Sequence, residues 1–179
     1  MTFDIGGGAF GVAVDPTLNR VYVSCRDAQF IRTVDGATNA ILWDQTAYPG
    51  GTPYALGIDP ALGRLYASFA GDPVDPMQPR QVLVYRIPAT GPSLLTAVNV
   101  GRGGSNGGGG IAVNTATHHV FVTNSQEDSV SVFDGVTNML IATVPVGDDP
   151  MGVGVDPDLS YAFVGNRGSN TITNIPDVY

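Results

Sequence analysis

Cysteine, histidine, tryptophan and cationic side chains are all scarce in this chain of 179 residues, and each shortage removes a class of function. One cysteine, Cys25, cannot form an internal disulfide and supplies neither a paired-cysteine zinc site nor a haem-attachment motif. Its place in a strand pattern reads as a small buried hydrophobe rather than a nucleophile. The 8 cationic residues face 16 acidic ones, and they are scattered singly. A phosphate backbone would meet repulsion rather than a basic stripe, so nucleic acid is excluded as a partner. No apolar run approaches the roughly 18 to 20 residues needed to span a bilayer, and the N-terminus has no basic region followed by an apolar stretch. The two histidines, His118 and His119, are adjacent in a turn that aims them apart, a poor arrangement for a shared metal. Trp43 stands alone on an outer strand and does not form a sugar platform.

What is abundant is glycine and proline, 24 and 13 residues, beside 43% hydrophobic and only 13% charged residues. That profile suits many short strands with frequent turns, and no segment shows sustained helical periodicity. A phrase recurs four times: a small-residue strand closed by Asp or Asn, then an aromatic-centred strand. The copies run Gly11-Val12-Ala13-Val14-Asp15 with Tyr22-Val23-Ser24-Cys25, Leu56-Gly57-Ile58-Asp59 with Tyr66-Ala67-Ser68-Phe69, Ile111-Ala112-Val113-Asn114 with Phe121-Val122-Thr123-Asn124, and Val153-Gly154-Val155-Asp156 with Phe163-Val164-Gly165-Asn166. The turn residue advances by 44, 55 and 42 positions, the period of a four-stranded propeller blade. An insertion at 71–81 accounts for the long step.

The expected fold is therefore all-β: a β-propeller of four four-stranded blades in one domain spanning 1–179, with blades near 7–47, 48–101, 102–147 and 148–179. Third strands are expected at Phe30 to Val34 and Ser129 to Phe133, each followed by an Asp-Gly-x-Thr-Asn turn whose glycine supplies a positive φ. The last blade lacks an outer strand, and Thr2-Phe3-Asp4-Ile5-Gly6 resembles the strand end Thr143-Val144-Pro145-Val146-Gly147. The N-terminal residues 1–6 are accordingly expected to complete the last blade, which would remove two unpaired edges. Phase admits a closed four-bladed ring, half of an eight-bladed homodimer, or a piece of a longer propeller.

Phe121-Val122-Thr123-Asn124, the opening Pro150-Met151-Gly152-Val153-Gly154-Val155-Asp156-Pro157 and the close Ala142-Thr143-Val144-Pro145-Val146-Gly147 resemble the YVTN-type β-propeller repeats. That resemblance implies a propeller of surface-layer or exported proteins, with lactonase-like and lyase-like enzymes among its relatives, and hence an extracellular, cell-surface or periplasmic setting. Its usual ring of about seven blades exceeds the four seen here.

Ligands of propellers meet the loops that leave the second and outer strands. On this chain those loops carry Arg26, Asp27, Arg80, Arg102, Glu127, Asp128, Asp148 and Arg167, which together could bind a small polar ligand through charge-assisted hydrogen bonds. Asp72, Asp75, Asp148 and Asp149 are oxygen ligands for a divalent metal such as Ca, although neither pair has calcium-loop spacing. The glycine run 101–110 lacks the ending of a nucleotide-binding loop and reads as a connector. Asp15, Asp59 and Asp156 read as turn formers. No nucleophile, base and orienting acid stand out together. The leading expectation is a recognition or scaffold propeller that binds a protein or small polar ligand on its loop face; the alternative is a lactonase- or lyase-like enzyme with its centre at the channel mouth.

Overall fold

The computed structural model describes residues 2–46, 51–69, 80–101 and 109–179. Among these residues the chain is all-β, with four antiparallel sheets and no helix. Sheet 1 runs β1 (Ala9–Asp15), β2 (Arg20–Cys25), β3 (Phe30–Asp35) and β4 (Ile41–Thr46). Sheet 2 runs β5 (Pro53–Asp59), β6 (Arg64–Phe69), β7 (Gln81–Arg86) and β8 (Ser93–Asn99). Sheet 3 runs β9 (Ile111–Asn114), β10 (His119–Asn124), β11 (Ser129–Asp134) and β12 (Met139–Pro145), and sheet 4 has β13 (Pro150–Asp156), β14 (Tyr161–Asn166) and β15 (Thr171–Pro176). Strands pair in chain order within every sheet, as hairpin connections dictate.

The recurring acids and amides do the local work expected of them. Asp15 Oδ1 accepts from the Thr17 and Leu18 amides, Asp156 Oδ1 from Asp158 and Leu159, and Asn114 Oδ1 from Ala116. Each closes the first hairpin of its sheet with an Asx turn. The Asp-Gly-x-Thr-Asn turns work differently from the sequence expectation. Their left-handed residues are Asn39 and Asn138, with φ of 60° and 61°, whereas Gly36 and Gly135 have no positive φ. Those glycines are needed for close approach. A Cβ at Gly36 would lie 2.7 Å from Asn19 Oδ1, and one at Gly135 would lie 2.6 Å from both His118 O and Tyr66 Oη. Their amides bond to Asn19 O and His118 O, so each turn is hooked onto the neighbouring one.

The core lies between successive sheets, in three seams. Tyr22 and Ile31 of sheet 1 pack on Leu56, Leu65 and Tyr85 of sheet 2. Tyr66 and Val82 pack on Ile111, Val120 and Phe133. Phe121 and Val130 pack on Val153, Ala162 and Ile175. A hydroxyl stitches each seam at the same register: Ser24 Oγ donates to Tyr54 O (2.6 Å), Ser68 Oγ to Gly109 O (3.3 Å) and Thr123 Oγ1 to Met151 O (3.0 Å). Ring and hydroxyl stand two residues apart, so one face of the second strand offers both to the next sheet, the ring to its apolar seam and the hydroxyl to a carbonyl.

The N-terminus corrects the sequence expectation. Residues 2–8 form no strand, and sheet 4 keeps three strands with β15 at its edge. Thr2, Phe3 and Ile5 lie instead over the outward face of sheet 1, where they line a groove with Val12, Val21, Val23 and Val34. Arg32 anchors them: its guanidinium grips Asp44 through two 2.7 Å bonds and donates Nη1 to Ile5 O at 2.5 Å. A nearby apolar face and a preorganised donor outcompete pairing with a distant edge. The four sheets do not close into a ring.

Candidate functional site on the loop face

Of the ligand-binding residues singled out by sequence, Arg102 lies outside the described residues, as do the metal candidates Asp72 and Asp75. The other seven sit at the ends of second strands or in the loops between sheets, all on one end of the array, in three groups that each mark a seam.

The first group surrounds Tyr54, at the seam between sheets 1 and 2. Arg26 places its guanidinium 4.5 Å from the Tyr54 ring centroid and 5.2 Å from that of Phe10. The two rings meet edge to face, 5.4 Å apart at 79°. Such stacking holds a cation without neutralising it. Arg26 Nε is buried and has no hydrogen-bond partner among the described residues. Asp27 is exposed beside Gly8, whose φ of 73° and approach to the Asp27 amide both require glycine.

Arg80 belongs to the second group and is 2% exposed. It crosses the seam between sheets 2 and 3, donating Nε to Phe69 O at 2.9 Å and Nη1 to Thr123 O at 3.4 Å. Its Nη2 is unpartnered among the described residues. Burial pulls the guanidinium down to about 10, and the neighbouring Tyr54 acts against that shift. The group is thus a buried cation held only by carbonyl dipoles among the described residues, a costly state that an anion would relieve. Glu127 is exposed and lies against Gly101.

The third group satisfies itself. Asp128 Oδ1 accepts the Asp149 amide at 2.9 Å, and Asp149 Oδ2 takes both Nε and Nη2 of Arg167 at 2.6 Å. Asp148 joins through its backbone, its amide donating to Ser169 Oγ and its carbonyl accepting from Gly168. Arg167 and the carboxylates of the loop thereby bind one another across sheet 4.

Sequence reasoning missed Phe10 and Tyr54, although they are the same position of two repeats and the register alone could have flagged them. It also missed Asp177. That carboxylate, 6% exposed, gathers His119 Nδ1 at 2.5 Å, Asn114 Nδ2 at 2.6 Å and Thr117 Oγ1 at 2.7 Å. His118 pairs separately with buried Asp59, Nδ1 to Oδ2, at 2.7 Å. The histidines therefore part as the turn predicts, each tying sheet 3 to a neighbour on the end opposite the loop face. Asp59 combines that contact with its turn role. Cys25 is fully buried, and burial pushes its thiol up. Among the described residues no three His, Cys, Asp or Glu side chains form a group able to hold a metal ion. Among the described residues no helix is long and apolar enough to cross a membrane.

No protein-family model matches the chain, and no curated protein matches it.

Proposed function

We propose that the chain is a recognition or scaffold module, a YVTN-type propeller arc whose four sheets are blades and whose loop face binds a small anionic ligand or an acidic segment of a protein. The observation that carries this reading is an unpartnered buried donor on each of two guanidinium groups among the described residues: Arg26 Nε, stacked beside Tyr54, and Arg80 Nη2, in the next seam. An anion reaching either guanidinium would accept from its free N–H, and at Arg80 it would add a full counter-charge to the carbonyl dipoles. The repeated seams support the scaffold half of the reading, since they hold the loop ends in fixed register. An extracellular or cell-surface setting follows from the family resemblance and belongs to the same proposal.

Thermal shift with phosphate, sulfate and citrate at constant ionic strength tests it. A saturable rise in Tm that Arg26→Gln weakens about tenfold is expected, the loss of one charge-assisted contact. Arg80→Met should remove the rise while leaving a folded protein, because Met fills the seam without a charge. Equal response of wild type and both variants, or no saturable response to any anion, would discard the site.

A further inference from the structure

The repeat register allows each buried seam to be compared with the two faces that have no neighbour. In every seam one ring of a middle strand enters a four-position socket on the next sheet. Tyr22 meets Leu56, Leu65, Ala67 and Tyr85; Tyr66 meets Ile111, Val120, Val122 and Phe133; Phe121 meets Val153, Ala162, Val164 and Ile175. All three rings are at most 2% exposed. By the same register the fourth ring is Phe163, and the unfilled socket is Val12, Val21, Val23 and Val34.

Both stand open. Phe163 is 36% exposed, and Ile172 beside it is 74% exposed where its counterparts Ile31, Val82 and Val130 are fully buried. Val12 is 59% exposed, against 7% for Leu56 and 9% for Ile111. The socket is a concavity of about 450 Å³ whose lining includes all four valines. Bare apolar faces of this kind mark interaction surfaces.

We infer that a second copy of the chain docks head to tail, Phe163 of one copy entering the valine socket of the other as Tyr22, Tyr66 and Phe121 enter theirs. The two faces are the missing halves of an interface the chain already builds three times, and the six positions named at the junction carry no charge. The contact is heterologous, and two such junctions close a pair of copies into one ring of eight sheets. The N-terminal residues 2–5, held by the Arg32 bond to Ile5 O, occupy part of the socket and give way when it is filled. One feature of the seam is missing: Gly165 stands where Ser24, Ser68 and Thr123 supply the stitching hydroxyl. Its backbone has no positive φ and a Cβ there meets only Gly152 O at 4.0 Å, so serine fits without strain. This junction does not depend on the anion site.

Light scattering coupled to size exclusion, at roughly 100 µM protein, an occupancy suited to a micromolar junction, is the test. Wild type is expected at twice the 18.6 kDa chain mass. Phe163→Glu and Val12→Glu each change an exposed residue, should keep the strand spectrum in circular dichroism, and should each elute at 18.6 kDa. Mixed together they must associate again as a one-to-one pair, since each retains the half that the other lacks. Gly165→Ser should tighten association about fivefold by restoring the stitch. Monomeric wild type, association that neither charge disrupts, or a mixture that stays monomeric would each overturn the proposal, including the case in which these faces are covered by further repeats of a longer chain.

Discussion

Sheets 3 and 4 carry nearly the same middle strand, Phe121-Val122-Thr123-Asn124 and Phe163-Val164-Gly165-Asn166, in the same register, and their surroundings differ completely. Every residue of β10 is buried, whereas β14 alternates exposed and buried along its length. Asn124 and Asn166 even repeat one local device, each amide donating to two hydroxyls across the hairpin, Ser129 and Ser131 in one case and Thr171 and Thr173 in the other. The motif therefore specifies strand, hairpin and register. Burial comes from the neighbour, and so does most of the stability.

The comparison breaks most visibly if the rings are removed one at a time. Phe121→Ala should cost about 3 to 5 kcal/mol, the usual loss for emptying a packed aromatic site. Phe163→Ala should cost under about 1 kcal/mol in protein dilute enough to be a single copy. Urea midpoints measure both, and equal losses would contradict the contrast.

Alkaline titration probes the sealed rings of the other seams. Burial, with Asp15 adding to it, pushes the Tyr22 phenol up to about 12; burial alone pushes Tyr85 up to about 12; burial, reinforced by Asp59, pushes Tyr66 up further. A phenol whose folded pKa is raised stabilises fully below its unfolded value near 10 and loses that contribution as pH climbs toward the folded value. Arg80 opposes them, since its depressed pKa adds stability as pH rises above 10. Three phenols against one guanidinium leave a net loss of roughly 3 kcal/mol between pH 9 and 11. Urea midpoints at the two values read it; unchanged midpoints would mean that the rings are not sealed.

A smaller effect comes from the stitch. Ser68→Ala leaves the Ala55 amide and the Gly109 carbonyl without their hydroxyl, a loss of about 1 to 2 kcal/mol, while Gly165→Ser should leave the dilute chain unchanged. Chemical denaturation of the two variants sharpens the difference between a covered and an open face. Smallest of all is Arg167→Ala, under about 0.5 kcal/mol, because its pair with Asp149 is largely solvated.

The four repeats, the strand order and the Asx turns were legible because they are local: alternation and turn chemistry act within a hairpin. The fate of Thr2 to Gly6 was not. Its likeness to Thr143 through Gly147 is a property of sequence, but where a terminal segment settles depends on which surface is near, and Arg32 with the valine groove is nearer than β15. The same limit applies to the site. Loop position placed Arg26, Arg80 and Arg167 together on one end of the array, yet only packing distinguishes the guanidinium stacked on Tyr54 and the one sunk in a seam from Arg167, which finds its own carboxylate. Asp177 lay beyond reach because its three partners come from a different sheet, some 60 residues away.

Amide hydrogen exchange on β10 and β14, in protein dilute enough to be a single copy, tests the central claim most directly. Both are middle strands, hydrogen-bonded on both sides, so the covering of their faces is the main difference, beside the fourth strand that sheet 4 lacks. If neighbours rather than the motif confer stability, the amides of Val120 and Val122 should exchange at least about tenfold more slowly than those of Ala162 and Val164. Equal protection of the two strands would contradict it.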